Sequence, residues 1–205
     1  MLLIPIFGAA LFVMLYFVAT IFYPGGSQVD KNAVGFSWLN NYWCNLLNDN
    51  AINGQPNTAK PIAIAGMIIL CVTLSLFWLL FPLYINMGKK YKIAIQTSGL
   101  LSMGAASLLF TNFNHDLITN LASLFGLLAT IGVYIGLYKL QWYRLFAFGL
   151  MNILLVALNN YVYYNQELIV YLPIIQKISF ATFLIWICSI NLKLYKRVIV
   201  NNNLS

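Results

Sequence analysis

The chain has 205 residues, of which 61% are hydrophobic and only 7% carry a charged side chain. Soluble domains have roughly a quarter of their residues charged, so this composition excludes an ordinary soluble protein. A helix that crosses the hydrocarbon core takes about 20 apolar residues. The length therefore leaves room for a single membrane domain (residues 1–205) and for no separate soluble domain.

Six apolar segments follow one another along the chain, and each predicts a transmembrane helix. Runs this long are helical rather than the alternating strands of a barrel, and both structures satisfy their backbone hydrogen bonds in lipid. The predicted spans are residues 2–23, 61–87, 93–113, 117–138, 142–161 and 168–193. The sequence thus predicts an all-α, polytopic membrane protein built as a bundle of six transmembrane helices. No Lys or Arg precedes the first run, so we expect it to remain as a helix rather than to be cleaved as a signal peptide.

The charged residues divide the connections between spans into two sets. Eight of the eleven Lys and Arg lie in three places: Lys89, Lys90, Lys92, Lys139, Arg144, Lys193, Lys196 and Arg197. The four carboxylates lie in the other connections: Asp30, Asp49, Asp116 and Glu167. Because cytoplasmic loops retain Lys and Arg, this partition predicts a membrane protein with both termini in the cytoplasm. The same rule explains the net charge of +7, so no nucleic-acid partner is expected.

Small residues recur along the fourth predicted span, where Gly132 and Gly136 form a GxxxG pair. Such pairs allow the backbones of two helices to approach closely. We predict close packing within the domain, with the third span as the candidate neighbour because it carries small residues of its own. Contact between two copies of the chain is the alternative.

The one long connection, residues 24–60, is predicted to lie outside. Within it, residues 36–49 have helical periodicity. Polar residues line one face of that helix: Ser37, Asn41, Asn45 and Asn48. Apolar residues line another: Leu39, Trp43, Leu46 and Leu47. This pattern predicts a short amphipathic helix at the outer membrane interface. A lid whose Asn41 and Asn45 face a polar pocket is the second interpretation.

The short outer turn before the fourth span holds Asn114, His115 and Asp116, and His115 is the only histidine. Histidine transfers protons near neutral pH, and a nearby carboxylate raises its pKa or orients it. Neighbouring residues on a helix point in different directions, however, so a direct pair requires the turn to fold back. Capping of the fourth helix is the alternative role for Asp116, and a structural or exposed role is the alternative for His115.

Lys177 lies about ten residues into the sixth apolar segment, where an ammonium group is costly and often functional. One interpretation pairs it with Glu167, Asp116 or an acidic lipid headgroup. In the other, Pro173 breaks the segment, the span begins near residue 178, and Lys177 extends to the outer surface. Asn160, near the outer end of the fifth span, is a candidate for lining the same cavity.

Several signatures of known chemistry are absent from the sequence. The three cysteines form no CxxC pair, and one histidine cannot supply the ligands of a typical catalytic zinc site. There is no GxSxG elbow, P-loop or HExxH motif. We therefore expect no metal and no cofactor.

Residues 41–47 (NYWCNLL), Pro61 and the turn Asn114-His115-Asp116 carry a resemblance to a family of bacterial membrane proteins. The chain resembles domain-of-unknown-function family 998, which is grouped with the alkaline ceramidases and progestin/adipoQ receptors. The resemblance implies a fold shared with membrane hydrolases and a location in the bacterial inner membrane. Ceramidase-type enzymes use several histidines with metal, whereas this chain has His115 alone, so the resemblance does not extend to metal-dependent hydrolysis.

Three functions remain open. In the first, the chain is a lipid-binding protein or an accessory subunit, with membrane lipids and a protein of a larger complex as its partners. In the second, it is an outer-leaflet lipid hydrolase with His115 as general base, Asp116 orienting it, and Asn41 or Asn45 holding an oxyanion. In the third, it is a component of a small-solute transporter, although the middle of the membrane lacks a clear polar site. We favour the first because it requires the fewest catalytic groups. Its candidate binding residues are Asn41, Asn45, Asn114, Asn160 and Lys177.

Overall fold

The computed structural model describes residues 1–108 and 114–202, with backbone only for His115, Asn201 and Asn202. Six α-helices occur in this part of the chain: α1 (Ile4–Ile21), α2 (Lys60–Leu80), α3 (Lys89–Ser107), α4 (His115–Lys139), α5 (Tyr143–Tyr163) and α6 (Leu172–Asn202). Three short 3₁₀ helices accompany them: Trp43–Leu47, Phe81–Tyr84 and Ile169–Tyr171. The described ranges contain no β-strand, and the prediction of an all-α protein is confirmed.

Five helical segments are long and apolar enough to cross a membrane: Ile4–Ile21, Lys60–Tyr84, Asp116–Lys139, Tyr143–Tyr163 and Ile169–Val200. They correspond to five of the six predicted spans. The third predicted span corresponds to α3, which is not among the five. Three lysines lie in its first turn, and Gln96 and several hydroxyl side chains follow, which lowers its mean hydropathy. Residues 109–113, the end of that predicted span, lie outside the described residues.

The last helix is longer than predicted at its carboxyl end. It continues beyond residue 193 to Asn202, and it carries Lys193, Lys196 and Arg197 with it. At the other end, Pro173 does not interrupt the helix, because it occupies the first turn. A proline is tolerated there since its missing N–H would have no helical partner. Lys177 therefore lies in the second turn of a regular helix.

The chain groups into two compact units. Unit 1 comprises Met1–Ala10, Met67–Gly149 and Ile185–Ser205, and unit 2 comprises Leu11–Gly66 and Leu150–Leu184. Helices α1, α2, α5 and α6 contribute residues to both units, whereas α3 and α4 belong to unit 1. Unit 2 contains the whole connection between α1 and α2, residues 22–59, which we call the connecting loop.

In unit 1, α3 and α4 pack side by side through their small residues. A Cβ atom on Gly132 would collide with the side chain of Ile95, and one on Gly136 would lie 2.7 Å from the Cδ1 atom of Ile85. The hydroxyl of Ser102 donates a hydrogen bond of 2.8 Å to the backbone oxygen of Ala122. The prediction that the GxxxG pair serves packing within the domain is confirmed, with α3 as the neighbour of Gly132 and the segment before α3 as the neighbour of Gly136.

Candidate functional site

The structure distributes the predicted site residues between the two units. Asn41, Asn45, Asn160 and Lys177 belong to unit 2, whereas residues 114–116 belong to unit 1. Within unit 2, Asn41, Asn45 and Lys177 come together in and against the connecting loop. Asn160 lies near the carboxyl end of α5.

The predicted helix over residues 36–49 is wrong, because the structure has only the five-residue 3₁₀ helix Trp43–Leu47. Short polar side chains compete for backbone groups that a helix would otherwise use. The side-chain oxygen of Asn41 accepts a hydrogen bond from the Ser37 N–H at 2.8 Å, and the Ser37 hydroxyl accepts one from the Asn40 N–H at 3.3 Å. The periodic polar residues therefore fold the segment into turns rather than form the polar face of one helix.

Asn41 and Asn45 are both buried, and their amides are used to hold the connecting loop. The Asn41 Nδ2 group donates to the Gly26 oxygen at 2.9 Å and lies 3.5 Å from the Asn45 Oδ1 atom. That same Oδ1 atom accepts a hydrogen bond of 2.7 Å from the Tyr42 N–H. These interactions commit the Asn41 amide to the loop itself, where it cannot also serve an oxyanion without breaking them.

Asn57 has a comparable role that the sequence analysis missed. Its Nδ2 group lies within hydrogen-bond distance of three backbone oxygens at and after the 3₁₀ helix: Asn45 at 3.1 Å, Leu46 at 3.2 Å and Asn48 at 2.9 Å. Its Oδ1 atom accepts from the Ala59 N–H at 3.1 Å. An Asn placed just before the first apolar residues of α2 is a recognisable signal for a helix start. The hydrogen bonds from Asn57 back to residues 45–48, however, could not be predicted from the sequence.

Lys177 connects α6 to the connecting loop. Its ammonium group donates hydrogen bonds to the backbone oxygen of Asn41 and, at 3.0 Å, to that of Pro173. It also lies 5.7 Å from the centroid of the Phe36 ring, within the range of a cation–π interaction. Its partners are thus backbone carbonyls and an aromatic face, and Glu167 is not among them.

Gln176 forms a second connection between α6 and the connecting loop. Its side-chain oxygen accepts from the Trp43 N–H at 3.2 Å, and its Nε2 group lies 3.6 Å from the Cys44 sulfur. Burial raises the pKa of the Cys44 thiol, so the thiol stays protonated and is a weak nucleophile at neutral pH. The Trp43 ring packs against the rings of Tyr16 and Phe180, with centroids 5.3 and 5.7 Å away.

Because Lys177 holds the loop through charge-assisted hydrogen bonds, we expect Lys177→Met to loosen the loop around Cys44. Met keeps most of the side-chain length but donates no hydrogen bond. A loss of about 1–2 kcal/mol corresponds to a roughly 5–30-fold increase in local opening. The measurement is the rate at which a water-soluble maleimide labels Cys44 in protein that carries Cys71→Ala and Cys188→Ala.

The matched control for that experiment is Lys31→Met, which removes an exposed ammonium from the same loop. Its labelling rate is expected to equal that of the parent protein. Equal rates for Lys177→Met and the parent would contradict the anchoring role of Lys177.

At the start of α4, Asn114 is the N-cap residue, and its side-chain oxygen accepts a hydrogen bond of 3.0 Å from the Leu117 N–H. The interpretation of Asp116 as the capping residue is therefore wrong. Asp116 lies in the first turn instead, where the positive end of the helix dipole stabilises its negative charge. The side chain of His115 and residues 111–113 lie outside the described part of the chain, so the proposed His115–Asp116 pair stays a prediction.

An open depression of about 740 Å³ lies at the carboxyl end of α5 in unit 2. Six residues line it: Asn160, Tyr161, Tyr164, Asn165, Gln166 and Glu167. We call it the α5 depression. Asn160 was a candidate from the sequence, whereas the two tyrosines and Gln166 were not. Their signal was present in the sequence, as a cluster of aromatic and amide residues around Glu167 at a predicted helix end.

Among the residues that the structure describes, no group of three or more His, Cys, Asp or Glu side chains is placed to hold a metal ion. No protein-family model, no curated protein and no solved structure matches the chain.

Proposed function

We propose that the chain is a six-span protein of a bacterial inner membrane that binds lipid headgroups at its outer face, on its own or as an accessory subunit of a membrane complex. Five helices with the length and composition of membrane spans support this proposal. The partition of charged residues supports the orientation, with both termini in the cytoplasm and the connecting loop outside. In this proposal the α5 depression also faces outward.

The main support for the proposal is that polar side chains at the connecting loop are engaged in hydrogen bonds, whereas the α5 depression is open. Asn41 and Asn57 bond backbone atoms of the loop, and Lys177 bonds two carbonyls. These side chains therefore stabilise the loop, and their hydrogen bonds leave them less available to react with a substrate. The α5 depression, in contrast, is open and is lined by tyrosine and amide side chains. Tyrosine is enriched at headgroup depth in membrane proteins, so a membrane lipid is the ligand that this surface suits best.

The test is to extract the tagged protein from native membranes in mild detergent and to identify the lipids and proteins that remain bound. We expect one lipid class to remain at a stoichiometric level after washing and to be enriched over its share of the total membrane lipid. A stoichiometric protein partner in addition would make the chain a lipid-binding subunit. Bound lipid in the same proportions as the membrane would contradict the proposal.

Substitution of His115 separates this function from lipid hydrolysis. We expect His115→Ala to keep the yield, the thermal stability and the bound lipid of the parent protein, because lipid binding requires no general base. The measurements are the bound-lipid profile and the release of lipid fragments in vesicles that contain the parent or the variant. Fragment release by the parent that is lost in His115→Ala would replace lipid binding with hydrolysis.

A further inference from the structure

We infer that the α5 depression binds an organic ammonium group, of the kind that a zwitterionic lipid headgroup presents. This inference rests on the proposed function and names the chemical class of its ligand. It depends on three properties of the lining residues: their aromatic rings, their electrostatic sign and the open shape of the depression.

Two exposed tyrosines supply the aromatic surface. Tyr161 is 63% exposed and Tyr164 is 81% exposed, and both line the depression. The Tyr163 ring meets the Tyr164 ring nearly at a right angle, with centroids 5.1 Å apart, which limits the directions in which Tyr164 can turn. The negative face of a tyrosine ring attracts ammonium ions, and quaternary ammonium ligands are bound in this way.

The only charged side chain among the residues that line the depression is a carboxylate. The carboxyl end of a helix carries a partial negative charge, and α5 has no basic residue in its last turn to neutralise it. Glu167 adds a full negative charge, and no Lys or Arg lines the depression. The Glu167 backbone is held close to the helix end, because its N–H donates to the Asn165 side-chain oxygen at 3.1 Å.

The donor set favours an organic cation over a metal ion. Calcium takes six to eight oxygen ligands and usually several carboxylates, whereas the depression has one carboxylate, Glu167. An ammonium group needs only one counter-charge, a few acceptor oxygens and aromatic faces. The amide oxygens of Asn160 and Gln166 are available acceptors in that environment.

The size and shape favour a headgroup that remains attached to a larger molecule. A volume of about 740 Å³ lies within the usual range of small-molecule sites, yet the depression is open rather than enclosed. A headgroup can enter such a depression while its acyl chains stay in the bilayer. A free amine would use the same groups but would be bound by fewer contacts.

The experiment measures binding to the full-length protein in detergent by tyrosine and tryptophan fluorescence, with two ammonium probes. One is tetramethylammonium, and the other is dihexanoyl-phosphatidylcholine below its micelle concentration. Dihexanoyl-phosphatidylglycerol, which lacks the ammonium group, is the probe control. We expect both ammonium probes to bind, the lipid probe more tightly, and the glycerol lipid to bind at least about threefold more weakly than the choline lipid.

Two variants test the residues. Glu167→Gln keeps the shape and removes the charge, and Tyr164→Leu removes the aromatic face. Each is expected to weaken binding of the choline lipid at least about threefold. Asp30→Asn is the matched control, because Asp30 is an exposed carboxylate of the same unit that does not line the depression. It is expected to bind like the parent.

The outcomes distinguish this inference from the proposed function. Preference for the lipid probe over tetramethylammonium supports a membrane headgroup, and equal binding of the two supports a free amine at the same site. Unchanged binding in both Glu167→Gln and Tyr164→Leu, or equal binding of the glycerol lipid, would overturn the inference. If those variants still retain the native lipid class on purification, lipid binding stands and only its location is wrong.

Discussion

Asn41→Leu is expected to lower the free energy of unfolding of the protein by about 2–4 kcal/mol. Asn41 is fully buried, and its amide bonds the Ser37 N–H and the Gly26 oxygen. Leu is similar in size but leaves the buried Gly26 oxygen and the part-buried Ser37 N–H without their partner. A buried polar group without a partner costs about 1–3 kcal/mol. The measurement is thermal unfolding in detergent, together with the rate at which a protease cuts within residues 22–59.

Asn32→Leu is the control for that measurement, since Asn32 lies in the same loop with an exposed side chain. We expect its stability to stay within about 0.5 kcal/mol of the parent value. If Asn41→Leu were as stable as the parent but lost its bound lipid, Asn41 would be a ligand residue rather than a structural one. The expected result is the reverse: the loop becomes sensitive to protease, and the folded fraction retains whatever lipid the parent protein binds.

Gly99→Leu is expected to cause a comparable loss of stability in unit 1. A Cβ atom at Gly99 would lie 2.5 Å from the Trp78 Cβ atom and closer still to its Cγ atom. This is the base of the indole ring, which cannot move without a change in the helix itself. Trp78 is 1% exposed and packs against Phe77, with ring centroids 5.0 Å apart. Overpacking typically costs about 1–3 kcal/mol, and we expect the upper end of that range or more because the obstructing atoms are rigid.

Gly104→Leu is a closely matched control, because Gly104 lies in the same helix and a Cβ there would meet no atom within 4 Å. Leucine has a higher helix propensity than glycine, so Gly104→Leu is expected to be neutral or slightly stabilising. The readout is the temperature of unfolding of both variants in the same detergent. A similar drop in the unfolding temperature of the two variants would contradict the role of the Trp78 contact. It would show that glycine is needed for the backbone of α3 itself.

The helical architecture was largely predictable because the property that determines it is local. A long run of apolar residues has to satisfy its backbone hydrogen bonds within the run, and this predicts a helix without knowledge of its neighbours. The close packing of Gly132 and Gly136 was predictable for a similar reason, since small residues at that spacing leave a groove. The sequence did not say that Ile95 would occupy the groove at Gly132.

The connecting loop shows where periodicity fails as a guide. Residues 36–49 have the spacing of an amphipathic helix, yet Ser37, Asn41 and Asn45 bond nearby backbone atoms and the helix does not form. Hydrophobic periodicity reports which side chains would share a face if the segment were helical. Hydrophobic periodicity does not take account of side chains that form hydrogen bonds with the backbone groups a helix would use.

The sequence by itself determined that this is an all-α protein with helices long and apolar enough to cross a membrane, and it located Asn41, Asn45, Asn160 and Lys177 as polar residues of interest. Only the tertiary structure decided which groups they contact. Lys177 and Asn41 are 136 positions apart, and their hydrogen bond depends on the rotation of α6 and on the turns of the loop. Hydrophobic length and composition are summed along one segment, whereas a contact depends on the geometry of two segments together. For that reason the sequence revealed the helices, and the fold revealed which polar groups are engaged in hydrogen bonds and which surface is open.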